Sequence, residues 1–496
     1  MTSFSSRLKG RCSSYVNGLS HRGRMAICGV AAVAAAVACF QAAPALAGQA
    51  SRAIGDDVLA RHEVRDTVSP RGIHIDLYDY WLSGEKEADN KNPDGYLNMG
   101  VNNVAGDRKQ LAFGRNTRGG INNWTGSAAP YANIVQRTLG PDGYPWIEAG
   151  HQYLQGDTAN LTTPQSLKYL FDGTSFDGKR AYLGTTGLLQ LDGDGYYYYD
   201  SKQNFATYQA DRNAFTLYDA GAVADGGRDK QFGEFFPFNT GRNVFKGESA
   251  QGKLQSDIAS TNALMKHYFG LTLSTNFMQP ADGITKNGKE MVFEFAGDDD
   301  VWVFIDGVLV GDVGGIHDRT GLTINFATGE VYTYDGSLGG NPDTHYNPTT
   351  IKRMFRAARG DAFDAAQFDG ETFRDGTYHT LQFYYLERGN ENSNMALKFN
   401  LVNVAESTMT KVDQLGNPVE GATFDLYATD ASYNVPADAA PVATGVTDHA
   451  GRFSFTAKDG SPLSFMRLYH QDGIANYVLR ETAAPAGCRR SPDGKL

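Results

Sequence analysis

Between positions 298 and 312 the chain places five aspartates: Asp298, Asp299, Asp300, Asp306 and Asp312. Three adjacent carboxylates beside an apolar strand repel one another, and drawing them out of water is costly unless a cation or a solvated loop offsets the charge. Oxygen donors of this kind suit a hard cation, and calcium accepts roughly six to eight of them in flexible geometry. Zinc would want histidine or cysteine beside these loops, and only His317 stands near. The spacing does not follow the helix-loop-helix calcium pattern. On spacing alone, a calcium site drawing on Asp298, Asp299, Asp300 and Asp306 and a solvated acidic turn therefore stand level.

The segments around the aspartates read as strands. Val292 to Phe295 leads through Gly297 into the acidic turn, and the apolar run Val301–Ile305 follows without polar alternation, so that strand should be buried on both faces. Asp306-Gly307 is a hairpin signal that turns the chain into Val308–Val310. Leu322, Ile324 and Phe326 alternate with small or polar residues, and Leu381–Leu386 and Met395–Val404 are two further strands. An antiparallel β-sandwich over 251–405 follows from this order. Upstream, 71–250 reads as a loop-rich β-region whose first strand starts at Ile73, preceded by a flexible lead-in over 48–70. Two helices are expected, over Leu254–Phe269 and over 349–358. The fold class is all-β, closed by a small domain over 406–496 whose style differs from the rest.

Two blocks carry a resemblance. GDDDVWVFIDGVLVGDVGGIH, residues 297–317, and FYYLERGNENSN, residues 383–394, resemble the two signature blocks of fibro-slime domains. Those domains are similar in turn to the β-sandwich of flocculins and protective antigen. The resemblance implies that Asp298 and Asp299, eight and seven residues before the aspartate of Ile305-Asp306-Gly307, clasp calcium across a cis peptide. It also implies that the ion binds vicinal hydroxyls of a glycan. Gly389 departs from the pattern, since the family's second block commonly has histidine there.

Residues 406–487 resemble the SpaA-like, or collagen-adhesin B-type, pilin domains. The carrying motifs are TKVDQLGNPVEGATFDLY from Thr410, TDHAGRFSF from Thr447 and YVLRETAAPAG from Tyr477. The resemblance implies a Lys–Asn isopeptide bond with Lys411 as nucleophile and Glu481 as proton shuttle. Burial would push both groups toward their neutral forms, as that chemistry requires. The family's asparagine lies on a strand beyond the last motif, so the partner is expected to be absent here and the domain to be truncated, an incomplete immunoglobulin-like (prealbumin-like) fold with an open edge.

Composition bounds the function. Arg7, Lys9, Arg11, Arg22 and Arg24 precede an apolar run from Met25 to Phe40 and a small-residue end at Ala45–Ala47, which reads as a signal peptide over 1–47. The full chain carries a net charge of −11, and loss of that leader lowers it to about −16. A chain so acidic is a poor match for nucleic acid. Of its four cysteines only Cys488 lies beyond the leader, so no internal disulfide is expected.

Trp81, Trp124, Trp146 and Tyr196–Tyr199 offer faces for stacking on sugar rings, although such residues more often pack in cores. These readings favour a secreted, cell-surface adhesin or ancillary pilus subunit that binds a glycan or host glycoprotein through calcium, with other pilins as further partners and no membrane span. A purely structural surface protein is the alternative. A two-carboxylate glycosidase is disfavoured because nothing marks an acid pair, and no enzyme activity is expected.

Overall fold

The computed structural model describes residues 54–80, 130–148, 164–175, 179–220, 234–250, 252–256, 266, 268–336, 338, 346–387, 393–404, 408–448, 451–457, 463, 476–485 and 487–495. The expected signal peptide over 1–47, Trp81 and Trp124 lie outside the described residues. The architecture is all-β and antiparallel, with a separate five-stranded sheet at the C-terminal end. Among the described residues no helix is long and apolar enough to cross a membrane.

Two sheets form the head. In the six-stranded sheet the order is Val308–Val313, Asp300–Ile305, Tyr378–Glu387, Phe269–Met278, Ile73–Tyr80 and Lys179–Tyr182. In the eight-stranded sheet Val292–Gly297 and Met395–Phe399 lie at the centre, with Thr320–Asn325 and Glu330–Asp335 to one side and Tyr197–Asp200 and Leu189–Leu191 to the other. Both sheets therefore take strands from either side of residue 250. The division at 250/251 expected from sequence is corrected: 71–250 contributes strands to the same sandwich. Its strands are short, so periodicity could not reveal that their hydrogen-bond partners lie far along the chain.

The sheets meet through aromatic rings. Phe383 from the six-stranded sheet lies 5.8 Å from Phe293 and 5.6 Å from Phe295 of the eight-stranded one, and Tyr385 lies 6.1 Å from Phe295. The other face of the six-stranded sheet is covered as well. Trp302, Phe304 and Tyr384 pack against Ile134, Leu170 and Phe171, so 130–148 and 164–171 form an outer layer. This covering explains why every residue of Asp300–Ile305 is buried, as the unbroken apolar run implied, and why all ten residues of Tyr378–Glu387 are buried too.

Local signals hold in several places. Asp306 and Gly307 take φ of 48° and 73°, the left-handed pair that a tight hairpin requires. The helix Ile351–Arg359 forms where periodicity placed one, and the Thr350 side chain caps it by accepting from the Arg353 amide. The other expected helix is corrected. Leu254–Ser256 is a strand paired with Phe245–Glu248, Phe269 opens the strand Phe269–Met278, and 257–265 lies outside the described residues.

The lead-in is corrected too. Asp56–Arg61 is helical, Glu63–Val64 pairs with Ala214–Asp219, and Thr67–Val68 pairs with Leu189–Leu191. Edge pairing of this kind satisfies backbone groups without an apolar repeat to announce it.

Phe383 is the ring that packs against both Phe293 and Phe295 of the central strand Val292–Gly297 in the opposite sheet. Phe383→Ala is expected to lower the head's unfolding free energy by about 3–5 kcal/mol. Urea denaturation measures it, and an unchanged midpoint would mean the sheets are not held through this ring.

Candidate functional site

The acidic turn is the point where the chain leaves one sheet for the other. Val292–Gly297 ends in the eight-stranded sheet, Asp300–Ile305 begins in the six-stranded sheet, and only Asp298 and Asp299 lie between. Such a corner needs one residue in the left-handed region, and Asp299 supplies it with φ of 61°. Aspartate tolerates that conformation better than branched residues do. Gly297 must lack a side chain here, because a Cβ would lie 2.5 Å from the Asn394 carbonyl oxygen. Among the described residues no peptide bond is cis, which corrects the expected cis Asp298–Asp299 link: the positive φ of Asp299 makes the corner instead.

All three aspartates are buried, with 5%, 2% and 0% of their surfaces exposed at Asp298, Asp299 and Asp300. The two sequence blocks meet here. The Asn394 backbone amide donates to Asp298 Oδ1 at 2.7 Å and its side-chain amide donates to Oδ2 at 2.5 Å. Arg319 in turn donates to Asn394 Oδ1 at 2.5 Å, and its guanidinium charge reaches Asp298. Asp300 Oδ1 accepts the Gly315 amide at 2.6 Å.

His317 is buried beside this corner. Its Nδ1 lies 2.7 Å from the Asp318 carbonyl, which can only accept, so Nδ1 carries the proton. Burial pushes the imidazole's pKa down, against the pull of the Asp318 carbonyl and the Asp300 charge. In the neutral ring Nε2 is then a lone pair, and among the described residues it has no hydrogen-bond partner.

Asp312 lies across the hairpin from Trp302, with its Oδ2 accepting the Asn133 amide at 2.7 Å. Burial raises its pKa to about 7, the Asn133 amide opposing and the Asp300 charge adding to the rise.

Asp306 does not join this group. Six steps along an extended strand at roughly 3.3 Å each put it on the order of 20 Å from Asp300. There its Oδ1 accepts the Thr380 amide at 2.9 Å and its Oδ2 meets His379 Nδ1 at 2.7 Å, so it fastens the hairpin to the neighbouring strand. Its expected place beside Asp298, Asp299 and Asp300 as a metal ligand is corrected by that separation.

The donors at the corner are buried anionic oxygens, the chemistry a hard cation prefers. Among the described residues, however, no group of three or more His, Cys, Asp or Glu side chains surrounds a single point. Asn394 and Arg319 were not singled out from sequence, although Asn394 closes the second signature block.

The aromatic candidates divide. Tyr199 is a core residue, and Trp146 donates its indole N–H to Asp142 at 2.7 Å.

In the C-terminal domain Lys411 and Glu481 do come together. Lys411 Nζ lies 2.8 Å from Glu481 Oε2 and 2.5 Å from Ser491 Oγ, and the Ser491 amide donates to the same Oε2 at 2.6 Å. A serine hydroxyl stands where the resemblance would place an amide, and it offers no carbonyl carbon for the amine to attack. Burial alone would raise the Glu481 pKa, but the Lys411 and Ser491 hydrogen bonds outweigh it and hold the carboxyl below the ordinary range. The open edge is corrected: Gly494–Lys495 pairs with Asn476–Ala483 and extends that sheet to five strands. Two residues are too short a run for a sequence pattern to mark.

Together these features define an all-β protein with a sandwich head and a prealbumin-like C-terminal domain. Residues 405–493 match the family model of the SpaA prealbumin-like fold domain. The chain is also similar to protein psiP of Dictyostelium discoideum, 30% identical over 190 residues that cover 36% of this chain and 21% of psiP. Protein psiM of the same organism is 27% identical over 174 residues, 34% of this chain and 18% of psiM. Protein psiI is 42% identical over 73 residues, 14% of this chain and 9% of psiI. The chain thus spans about a fifth or less of each of these relatives' length.

Glu481 sets a pH dependence of known sign. Its folded pKa lies below the unfolded value near 4.5, so its stabilisation is complete above that pH and is lost as pH falls through the folded value. Glu481→Gln should cost the domain about 3 kcal/mol at pH 7, and much less at pH 3. Scanning calorimetry of the domain's transition reads both, and an equal loss at the two pH values would contradict the pairing.

Proposed function

We propose that the chain is an exported surface adhesin whose head holds calcium at the Asp298–Asp299 corner and binds a carbohydrate there, with the prealbumin-like domain as its stalk or pilus attachment. The observation that carries this reading is the burial of three consecutive aspartates at one two-residue crossing between sheets. Adjacent buried carboxylates repel strongly, and a divalent cation offsets that repulsion at least cost. Asp298 and Asp299 would supply carboxylate oxygens, and bound calcium would supply a Lewis-acidic centre for vicinal sugar hydroxyls. The likeness of residues 297–317 and 383–394 to fibro-slime blocks supports the same assignment. An extracellular, cell-wall-associated location and a glycan or glycoprotein partner follow from this reading.

A specific observation favours a second reading, in which the corner is a structural lock. Asn394 engages both oxygens of Asp298, and Gly315 engages Asp300, so these carboxylates already pin two loops. Under that reading the protein is a structural surface component and needs no glycan.

The two readings separate in one experiment. Thermal melting with calcium and with chelator, beside a glycan array, is run on the wild-type chain and on Asp298→Ala/Asp299→Ala. The adhesin reading expects a melting temperature several degrees higher with calcium, and array binding to neutral glycans that chelator and the double substitution both abolish. Identical melting and array patterns with and without calcium would leave only the structural lock.

A further inference from the structure

A second site lies at the opposite end of the six-stranded sheet. Register across the strands aligns Asp300 with Leu386, Gly270 and Tyr78, whereas Ile305 aligns with Leu381, Thr275 and Ile73. Five residues of extended strand, roughly 17 Å, therefore separate the level of the acidic corner from that of Ile73. At the Ile73 end a cavity of about 720 Å³ opens, lined by Arg71 and His74 from the start of that strand, Thr185 and Thr186 from a neighbouring loop, and Thr410 and Arg452 from the C-terminal domain.

The chemistry of this cavity runs against that of the chain. The protein carries a net charge of −11, yet among the described residues the lining holds two arginines and a histidine and no aspartate or glutamate. Among the described residues neither Arg71 nor Arg452 is in an ion pair with a carboxylate. Asp76 lies two residues beyond His74 but is already committed: its Oδ1 accepts the Gly184 amide at 2.7 Å, and burial raises its pKa. A hollow lined by two arginines suits a carboxylate or sulfate, which a guanidinium binds with two parallel hydrogen bonds.

The walls are held in place. Thr185 donates both its amide and its hydroxyl to the Ile75 carbonyl, at 2.7 and 2.8 Å, and Thr410 and Arg452 are direct cross-strand partners. The Asn403 side-chain amide donates to the Arg71 carbonyl, fixing the chain that enters the strand. Ile73, Ile75 and Pro70 add apolar surface to the hydroxyls, and the volume lies in the range of small-molecule pockets. Apolar and hydroxyl-bearing walls around a cationic focus fit a sugar ring that carries an acid group.

We propose that this cavity binds an acidic saccharide, with Arg71 and Arg452 receiving its anionic group. The site does not depend on the calcium reading and uses none of its residues.

The test is calorimetric titration of the full-length chain in the presence of chelator. The probes are glucuronic acid and N-acetylglucosamine 6-sulfate, each against its neutral parent, glucose and N-acetylglucosamine. At least one acidic probe should bind ten times more tightly than its parent, and which one does so tells carboxylate from sulfate. Arg71→Ala/Arg452→Ala should weaken that binding at least tenfold, and Arg71→Lys/Arg452→Lys should weaken it less. Circular dichroism melting checks that the variants fold. No binding of either acidic probe, equal binding of the neutral parents, or binding unaffected by the Arg71→Ala/Arg452→Ala change would overturn the assignment.

Discussion

The head depends on one abrupt crossing. A β-sandwich must pass its chain between two sheets about 10 Å apart, and here it does so between Gly297 and Asp300, with only two residues to spend. A corner that tight leaves backbone groups inside the protein with few partners of their own. Aspartate answers this need because a short carboxylate can accept from neighbouring amides, and Asp298 accepts two such bonds from Asn394. The accompanying cost is charge. Two further buried carboxylates follow Asp298 directly, and Arg319 reaches the group chiefly through Asn394.

Much of the rest follows from that corner. Asn394 sits just before Met395–Phe399, the strand that pairs with Val292–Gly297, so one asparagine fixes the end of one sheet and the exit from it at once. Gly315, which holds Asp300, follows the hairpin strand Val308–Val313, and segment 130–148 lies against that strand through the Leu309 and Gly314 amides. Corner, hairpin and outer layer are thus linked by hydrogen bonds rather than by apolar contact alone. The C-terminal domain solves a comparable problem with Lys411, Glu481 and Ser491, which join its first segment to its last by charge and hydrogen bonding.

The local chemistry was legible in the sequence, and the long-range geometry was not. Val301–Ile305 announced its burial on both faces because no polar residue interrupts it, and Asp306-Gly307 announced its turn because left-handed backbone favours those residues. Lys411 and Glu481 were placed together by motif, and the structure brings them to 2.8 Å. Asp306 was grouped with Asp298 because the two are close in sequence, whereas a strand carries its ends apart. The strand starting at Ile73 could be read from its alternation, but nothing local told which sheet it would complete. Asn394 escaped notice for the same reason, since its partner lies 96 positions away.

The account stands on the claim that the buried charge at Asp298–Asp300 is matched to a divalent ion. Isothermal titration of calcium into metal-stripped full-length chain tests this most directly. The account predicts saturable binding near one ion per chain, lost in Asp298→Asn/Asp299→Asn while the fold is kept. A heat-silent titration of the wild-type chain, confirmed by equilibrium dialysis that finds no retained calcium, would contradict it.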